Sequence, residues 1–215
     1  MPLRLPKFGT SIDVRPGEYL RCFAAFVYLF SAVGAFITAR IAKSSLFLEI
    51  PNYRDQLPLT YIGVALTVSL VMSQYAKVER SLRRDHTNLI TLAGIICVTL
   101  LFRYALDVER SIGWFIDNPK HEVYWFFLIW VEVLGTLLIV QFWSLVPEIF
   151  TSRQAKRLFI VIGGGGVLAN IAFGFGVKTL VPLIGTENLL FLICACLCVS
   201  GGAVTLLGVN ARAEL

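Results

Sequence analysis

The chain is 215 residues long, 57% hydrophobic and 15% charged, with a formal net charge of +5 and a mean hydropathy of +0.75. Soluble domains carry roughly 25% charged residues, so a water-soluble globular fold is excluded. The apolar residues lie in continuous runs, whereas membrane β-strands alternate over segments of ~10 residues, so a transmembrane barrel is excluded too.

Six such runs fill the sequence: Tyr19–Ala39, Leu57–Ala76, Thr87–Leu106, Val123–Val146, Leu158–Val181 and Leu189–Val209. Each approaches the ~20 apolar residues that a helix needs to cross ~30 Å of hydrocarbon. The expected fold is all-α, a polytopic membrane protein. Its six transmembrane helices occupy residues 19–209, between an N-terminal segment 1–18 and a tail 210–215. The first segment holds Pro2, Pro6, Asp13, Pro16 and Glu18 and no apolar core. No cleavable signal peptide is therefore expected, and span one is read as a start-transfer helix.

In chain order, Pro16 suits the first turn of helix one, where a missing N–H costs little. Arg40 and Lys43 lie three residues apart, on one face of that helix near its far end. If the helix stops near Ala39, both cations snorkel to the interface. If it runs on through Ser44–Leu48, with no breaker before Pro51, it reaches ~48 Å at ~1.5 Å per residue and can hold both inside a cavity. Pro51 and Pro58 bracket an outer loop around residues 52–55. The charged connection Lys77–His86 reads either as a clamp between bundles or as plain anchoring cations. Arg103 and Asp107 have the i,i+4 spacing of an intrahelical ion pair. Residues 112–116 of the outer loop Asp107–Glu122 are placed to dip onto the membrane surface.

Glu132 is the sharpest single feature, about ten residues into the fourth run. A bare carboxylate at that depth costs roughly 2.5–3.5 kcal/mol on the insertion scale, so it must face protein or water, or be protonated. It reads as a substrate, proton or counter-ion site, or as half of a structural ion pair. Pro147 closes this helix. In the fifth run, Gly163, Gly164, Gly165 and Gly166 are small residues that let membrane helices approach closely, or give a hinge. A phosphate loop is not expected, because no strand precedes them and no Gly-Lys-Ser follows. Asn170 is placed to bond a neighbouring helix or a substrate, and Lys178 to snorkel or face a cavity. Pro182 and Gly185 close the helix, and Asn188 caps the sixth.

Twelve of the nineteen cations lie before or at the start of span one, at 77–84, at 153–157 and in the tail. By the positive-inside rule both termini are cytoplasmic. The basic balance is a topology signal, so nucleic acid is not an expected partner. Cys22, Cys97, Cys194, Cys196 and Cys198 all lie in apolar runs without Cys-x-x-Cys spacing, so neither a metal nor a cofactor is expected. Two sets of three spans make the second set inverted relative to the first, the 3+3 build of half a major-facilitator transporter.

The segments Val14–Glu18 (VRPGE), Ile41–Leu48 (IAKSSLFL) and Phe142–Phe159 (FWSLVPEIFTSRQAKRLF), which run into the glycines and on to Asn188, resemble the ATP/ADP translocase (nucleotide transporter) family. The resemblance covers the N-terminal half of such a transporter. It implies a major-facilitator-like fold and nucleotide exchange, served by a cation late in helix one and an acid in helix four. Lys43 (or Arg40) and Glu132 occupy similar places. One departure stands out: the family's Arg-Asp pair late in helix one is replaced by Lys43 followed by Ser44.

Two functional readings result. In the first, the chain is a transporter-like bundle in the lipid bilayer of a bacterial inner membrane. It pairs with a second six-helix bundle, a copy or a separate chain, to exchange anionic or nucleotide-like solutes. Arg40, Lys43 and Lys178 hold negative charge, Asn170 contacts substrate and Glu132 couples or gates. In the second, it is a non-transporting subunit or scaffold of a larger membrane complex. Its aromatic-rich helix four (Trp125, Phe126, Phe127, Trp130, Phe142, Trp143) then faces lipid or partners. An enzyme is not expected, since His86 and His121 are the only histidines and no nucleophile–base pair appears.

Overall fold

Small side chains in the first apolar run set the architecture. Ala25, Tyr28, Ala32, Ala35, Ala39, Ala42 and Leu46 follow alternating steps of three and four, and Ala24, Ser31 and Thr38 repeat every seventh residue beside them. All are buried in helix α1 (Tyr19–Phe47). The structure is a computed structural model and describes residues 18–48, 53–81, 84–113 and 122–212. After α1 come α2 (Tyr53–Ser81), α3 (Arg84–Gly113), α4 (Glu122–Ile149), α5 (Ser152–Ile184) and α6 (Leu189–Arg212). No strand occurs among the described residues. All six helices are long and apolar enough to cross a membrane.

Helix α1 is the hub. It packs against α4, α5 and α6, while α2 lies on α4, and α3 lies on α4 and α6. Its most apolar window is 56% buried, against 6% for α2. Lipid tails are as apolar as the side chains, so close van der Waals packing and interhelical hydrogen bonds hold such helices together. Glycines mark the tightest points. A Cβ on Gly165 of α5 would stand 2.8 Å from the Phe26 carbonyl oxygen of α1, and Gly34 and Gly135 lie directly under the rings of Phe173 and Phe36. The Ser31 and Ser200 hydroxyls join α1 to α6 at 2.7 Å.

The distribution of polarity is that of a membrane protein. Thr38, Thr87, Asn88, Thr99, Gln141 and Ser200 are buried, whereas Leu59, Phe175 and Leu183 are each more than 70% exposed. Water would penalise so apolar an exterior, and lipid would not.

Helices run beyond the apolar runs at most ends. Helix α1 continues through Lys43 to Phe47, giving ~43 Å at ~1.5 Å per residue. Of the expected charged connection Lys77–His86, residues 77–81 belong to α2 and residues 84–86 to α3, and residues 82–83 lie outside the described residues. The outer loop expected around residues 52–55 is helical from Tyr53, and Pro58 lies inside α2. Pro58 is the sixth residue of α2 and so removes the one intrahelical hydrogen bond that its N–H would give to residue 54. Pro147 and Pro182 each sit two residues before the end of their helix. Gly185 then turns the chain at φ +80°, donating its N–H to Val181 at 2.9 Å. Pro16, residues 114–121 and the end of the tail lie outside the described residues.

The glycine cluster does not act as one unit. Gly165 makes the close approach and Gly166 touches Leu29 and Val33, but a Cβ on Gly163 or Gly164 meets nothing within 4 Å. Gly165→Ala is therefore expected to destabilise the bundle by about 1–3 kcal/mol, because a backbone carbonyl cannot step aside as a ring can. Gly164→Ala should be neutral or stabilising by up to about 1 kcal/mol, the helix-propensity gain. Equilibrium unfolding of the two variants in mild detergent checks the order.

Candidate functional site

The length of α1 brings the late cation to the mid-membrane acid. Lys43 Nζ donates to Glu132 Oε1 at 2.5 Å, with the two side chains 17% and 31% exposed. Glu132 lies ten residues into α4, about 15 Å from its start at ~1.5 Å per residue. The Thr136 hydroxyl bonds the backbone carbonyl of Glu132 at 2.9 Å and adds nothing to its carboxylate. Of the possible partners for that acid, the structure selects Lys43.

Arg40 stays on the exposed side of α1, its guanidinium 5.6 Å from the centre of the Phe36 ring. Phe36 lines a recess of about 70 Å³ with Leu29, Val33, Gly135 and Ile139. A second recess of about 100 Å³ continues from it past Val146 to Ala155 and Phe159. Leu29, Phe142 and Trp143 belong to both. Together they form an apolar groove floored by α1, with α4 and α5 as walls that meet only sparsely. Arg40 stands at one end of this groove through Phe36.

The remaining expected residues are dispersed. Asn170 is exposed on α5 and bonds the Gly166 carbonyl of its own helix at 2.9 Å, so it joins no neighbouring helix. Lys178 is exposed eight residues further on, about 80° round the helix at ~100° per residue. Arg103 pairs with Asp107 as the spacing implies, and also donates to Asn188 Oδ1 at 3.1 Å and lies over the Phe191 ring. Asn188 thus serves Arg103, and with its amide the Ile184 carbonyl at 2.7 Å; its own carbonyl accepts from Phe191 at the start of α6.

The aromatics of α4 mostly turn inward, against the expectation of an outer aromatic surface. Trp125 packs on Phe47, Phe127 and Trp130 on Phe102, and Phe142 on Tyr28. Phe126 and Trp143 remain exposed, and Trp143 stacks on Phe159 across the groove at 5.3 Å.

Sequence reasoning passed over a clamp at the end of the bundle that holds Glu18. Gln154 Nε2 donates to Glu18 Oε1 at 2.9 Å, and Arg157 pairs with the other carboxylate oxygen. Gln154 also accepts the Thr151 N–H at 2.9 Å, capping α5. The capping spacing from Thr151 to Gln154 was a readable signal; the partner on α1 was not. Among the described residues no three His, Cys, Asp or Glu side chains come together as metal ligands. Comparison with protein-family models, with curated proteins and with solved structures gives no match.

An ion pair that tethers two helices has a definite energetic signature. Lys43→Met and Glu132→Leu should each cost about 1–3 kcal/mol, the range for a hydrogen bond to a charged group plus a stranded partner. The double variant should cost clearly less than the sum, since the second substitution removes the stranded charge. Additive losses in a double-mutant cycle would show that the pair contributes no coupling.

Proposed function

We propose that the chain is one wall of a membrane transporter, a six-helix bundle that works against a second bundle to pass anionic, nucleotide-like solutes across a bacterial inner membrane. The observation that carries this reading is the placement of charge. Lys43–Glu132 is only partly buried and Arg40 is exposed beside an open groove. Charges left facing hydrocarbon are costly, so this side calls for protein or water against it. Arg40 supplies a cation for an anionic solute, and Lys43 supplies another when Glu132 releases it. Glu132 thereby acts as an internal counter-ion that solute must displace.

The order of helix contacts supports the inverted 3+3 build. Exchanging α1 with α4, α2 with α5 and α3 with α6 turns the α1–α5 contact into α4–α2 and the α1–α6 contact into α4–α3. The α1–α4 and α3–α6 contacts map onto themselves, while the slight α2–α3 and α4–α5 contacts have no counterpart as large. That permutation is the one a two-fold axis in the membrane plane imposes on inverted repeats. Nucleotide exchange itself comes from the resemblance in sequence, and cytoplasmic termini from the charge bias.

One observation favours the alternative, a non-transporting membrane subunit: Lys43 already has a partner inside the chain. Purification in gentle detergent followed by reconstitution separates the two. A transporter wall brings a second six-helix bundle with it, and the assembly shows saturable exchange of labelled nucleotides in proteoliposomes. Glu132→Gln should lower that exchange on the order of tenfold, equivalent to ~1.4 kcal/mol of barrier. No saturable exchange, with Glu132→Gln indistinguishable from the parent, would sink the transport reading. Unrelated partners at fixed stoichiometry would establish the subunit.

A further inference from the structure

The core of the bundle contains polar atoms that the ion pair and the groove do not use. Gln141 of α4 is fully buried, and neither its Nε2 nor its Oε1 has a protein partner. The same holds for the Tyr28 hydroxyl of α1 and the Asn88 Nδ2 of α3. Tyr28 is 0% exposed and Asn88 1%.

These groups converge. Helices α3 and α4 run antiparallel, and their register is fixed by two pairs. Trp130 Nε1 donates to Thr99 Oγ1 at 3.4 Å, and the Phe127 and Phe102 ring centres are 5.5 Å apart. Stepping eleven residues along each helix from Trp130 and Thr99, three turns and only ~20° of rotation, arrives at Gln141 and Asn88. Those two amides therefore lie at one level of the two helices, on the faces that carry the Trp130–Thr99 pair. Tyr75 of α2 donates a long hydrogen bond, 3.4 Å, to Asn88 Oδ1. Tyr28 lies within electrostatic reach of Tyr75, and its ring packs 5.5 Å from Phe142, the neighbour of Gln141. Four helices thus contribute one polar side chain each to a single region of the core.

Left without partners in hydrocarbon, each such group carries its full desolvation penalty. Several together are not tolerated in a stable fold unless something satisfies them. We infer that this cluster binds internal water: about one or two molecules, each making roughly three hydrogen bonds among Gln141, Asn88 and Tyr28. Water matches the donor and acceptor set. Gln141 offers both, Asn88 offers a donor, and the tyrosine hydroxyl can act as either. The cluster carries no formal charge, and its neutral donors and acceptors suit a neutral ligand that both donates and accepts. Gln141 and Tyr28 lie roughly 12–14 Å from the ends of their helices at the Glu18 side, at ~1.5 Å per residue. The inference stands whether or not the bundle transports.

Millisecond X-ray radiolysis of the intact protein in detergent or nanodiscs tests it, because hydroxyl radicals formed from bound water label side chains in contact with that water. Tyr28 should be oxidised several-fold faster than Phe127, which is equally buried but packed among aromatics. Gln141→Leu should bring Tyr28 labelling down toward the Phe127 level, and Gln141→Glu, which keeps a hydrogen-bonding side chain, should retain it. Labelling of Tyr28 in the unmodified protein no faster than that of Phe127 would overturn the inference without recourse to any variant. Unchanged Tyr28 labelling in a folded Gln141→Leu protein would overturn the part assigned to Gln141.

Discussion

How closely neighbouring backbones can approach α1 determines where Lys43 and Glu132 meet and how the bundle holds together. Hydrocarbon provides no drive to bury one apolar helix against another, so contact area and fit must do the work. Alanine, serine and threonine on the buried faces of α1 admit three helices at once, and the glycines at 34, 135 and 165 take the closest passages. A large side chain at any of these positions pushes a whole helix outward. The consequences would reach the ion pair, because Lys43 and Glu132 meet only where α1 and α4 lie against each other.

The Lys43–Glu132 contact then solves a problem that the sequence creates. A carboxylate at mid-membrane depth is expensive, and so is an ammonium above it, but the two together are far less so. The pair is only partly covered, and Arg40, one turn back on α1, is exposed beside it. A buried pair would be a rivet; an accessible one can open. The clamp of Glu18 with Gln154 and Arg157 works at the opposite end, where α1 and α5 begin together. The bundle is thus tied by charge at both ends of α1 and by close packing between.

Much of this was legible in the sequence for a physical reason. Spans announce themselves through length and hydropathy, and Glu132 through the cost of its depth. Arg103 and Asp107 are legible because helical spacing alone brings them together. What escaped depends on rotation and register, which hydropathy does not encode. Alanines score as mildly apolar wherever they point, so the hub role of α1 is visible only as a heptad spacing among small residues. Asn88 and Gln141 look like isolated polar residues until the Thr99–Trp130 pairing puts them at one level of α3 and α4. Asn188 follows the pattern of a helix cap, yet its side chain is drawn to Arg103 and the preceding helix by stronger partners. Aromatics of α4 could equally have faced lipid, and only the packing of Phe47, Phe102 and Tyr28 shows that most do not.

The central claim is that the groove between α4 and α5 faces a second bundle or water rather than lipid. Nitroxide side chains at Ile139, which lines the groove, and at Phe175, about 160° round α5 from Phe159 at ~100° per residue, offer a direct comparison. Both positions are well exposed in the isolated bundle, at 52% and 74%. Collision rates with oxygen dissolved in the bilayer, measured by electron paramagnetic resonance on the full assembly, should be several-fold lower at 139 than at 175. Equal oxygen access at the two positions would contradict the claim and leave the groove to lipid.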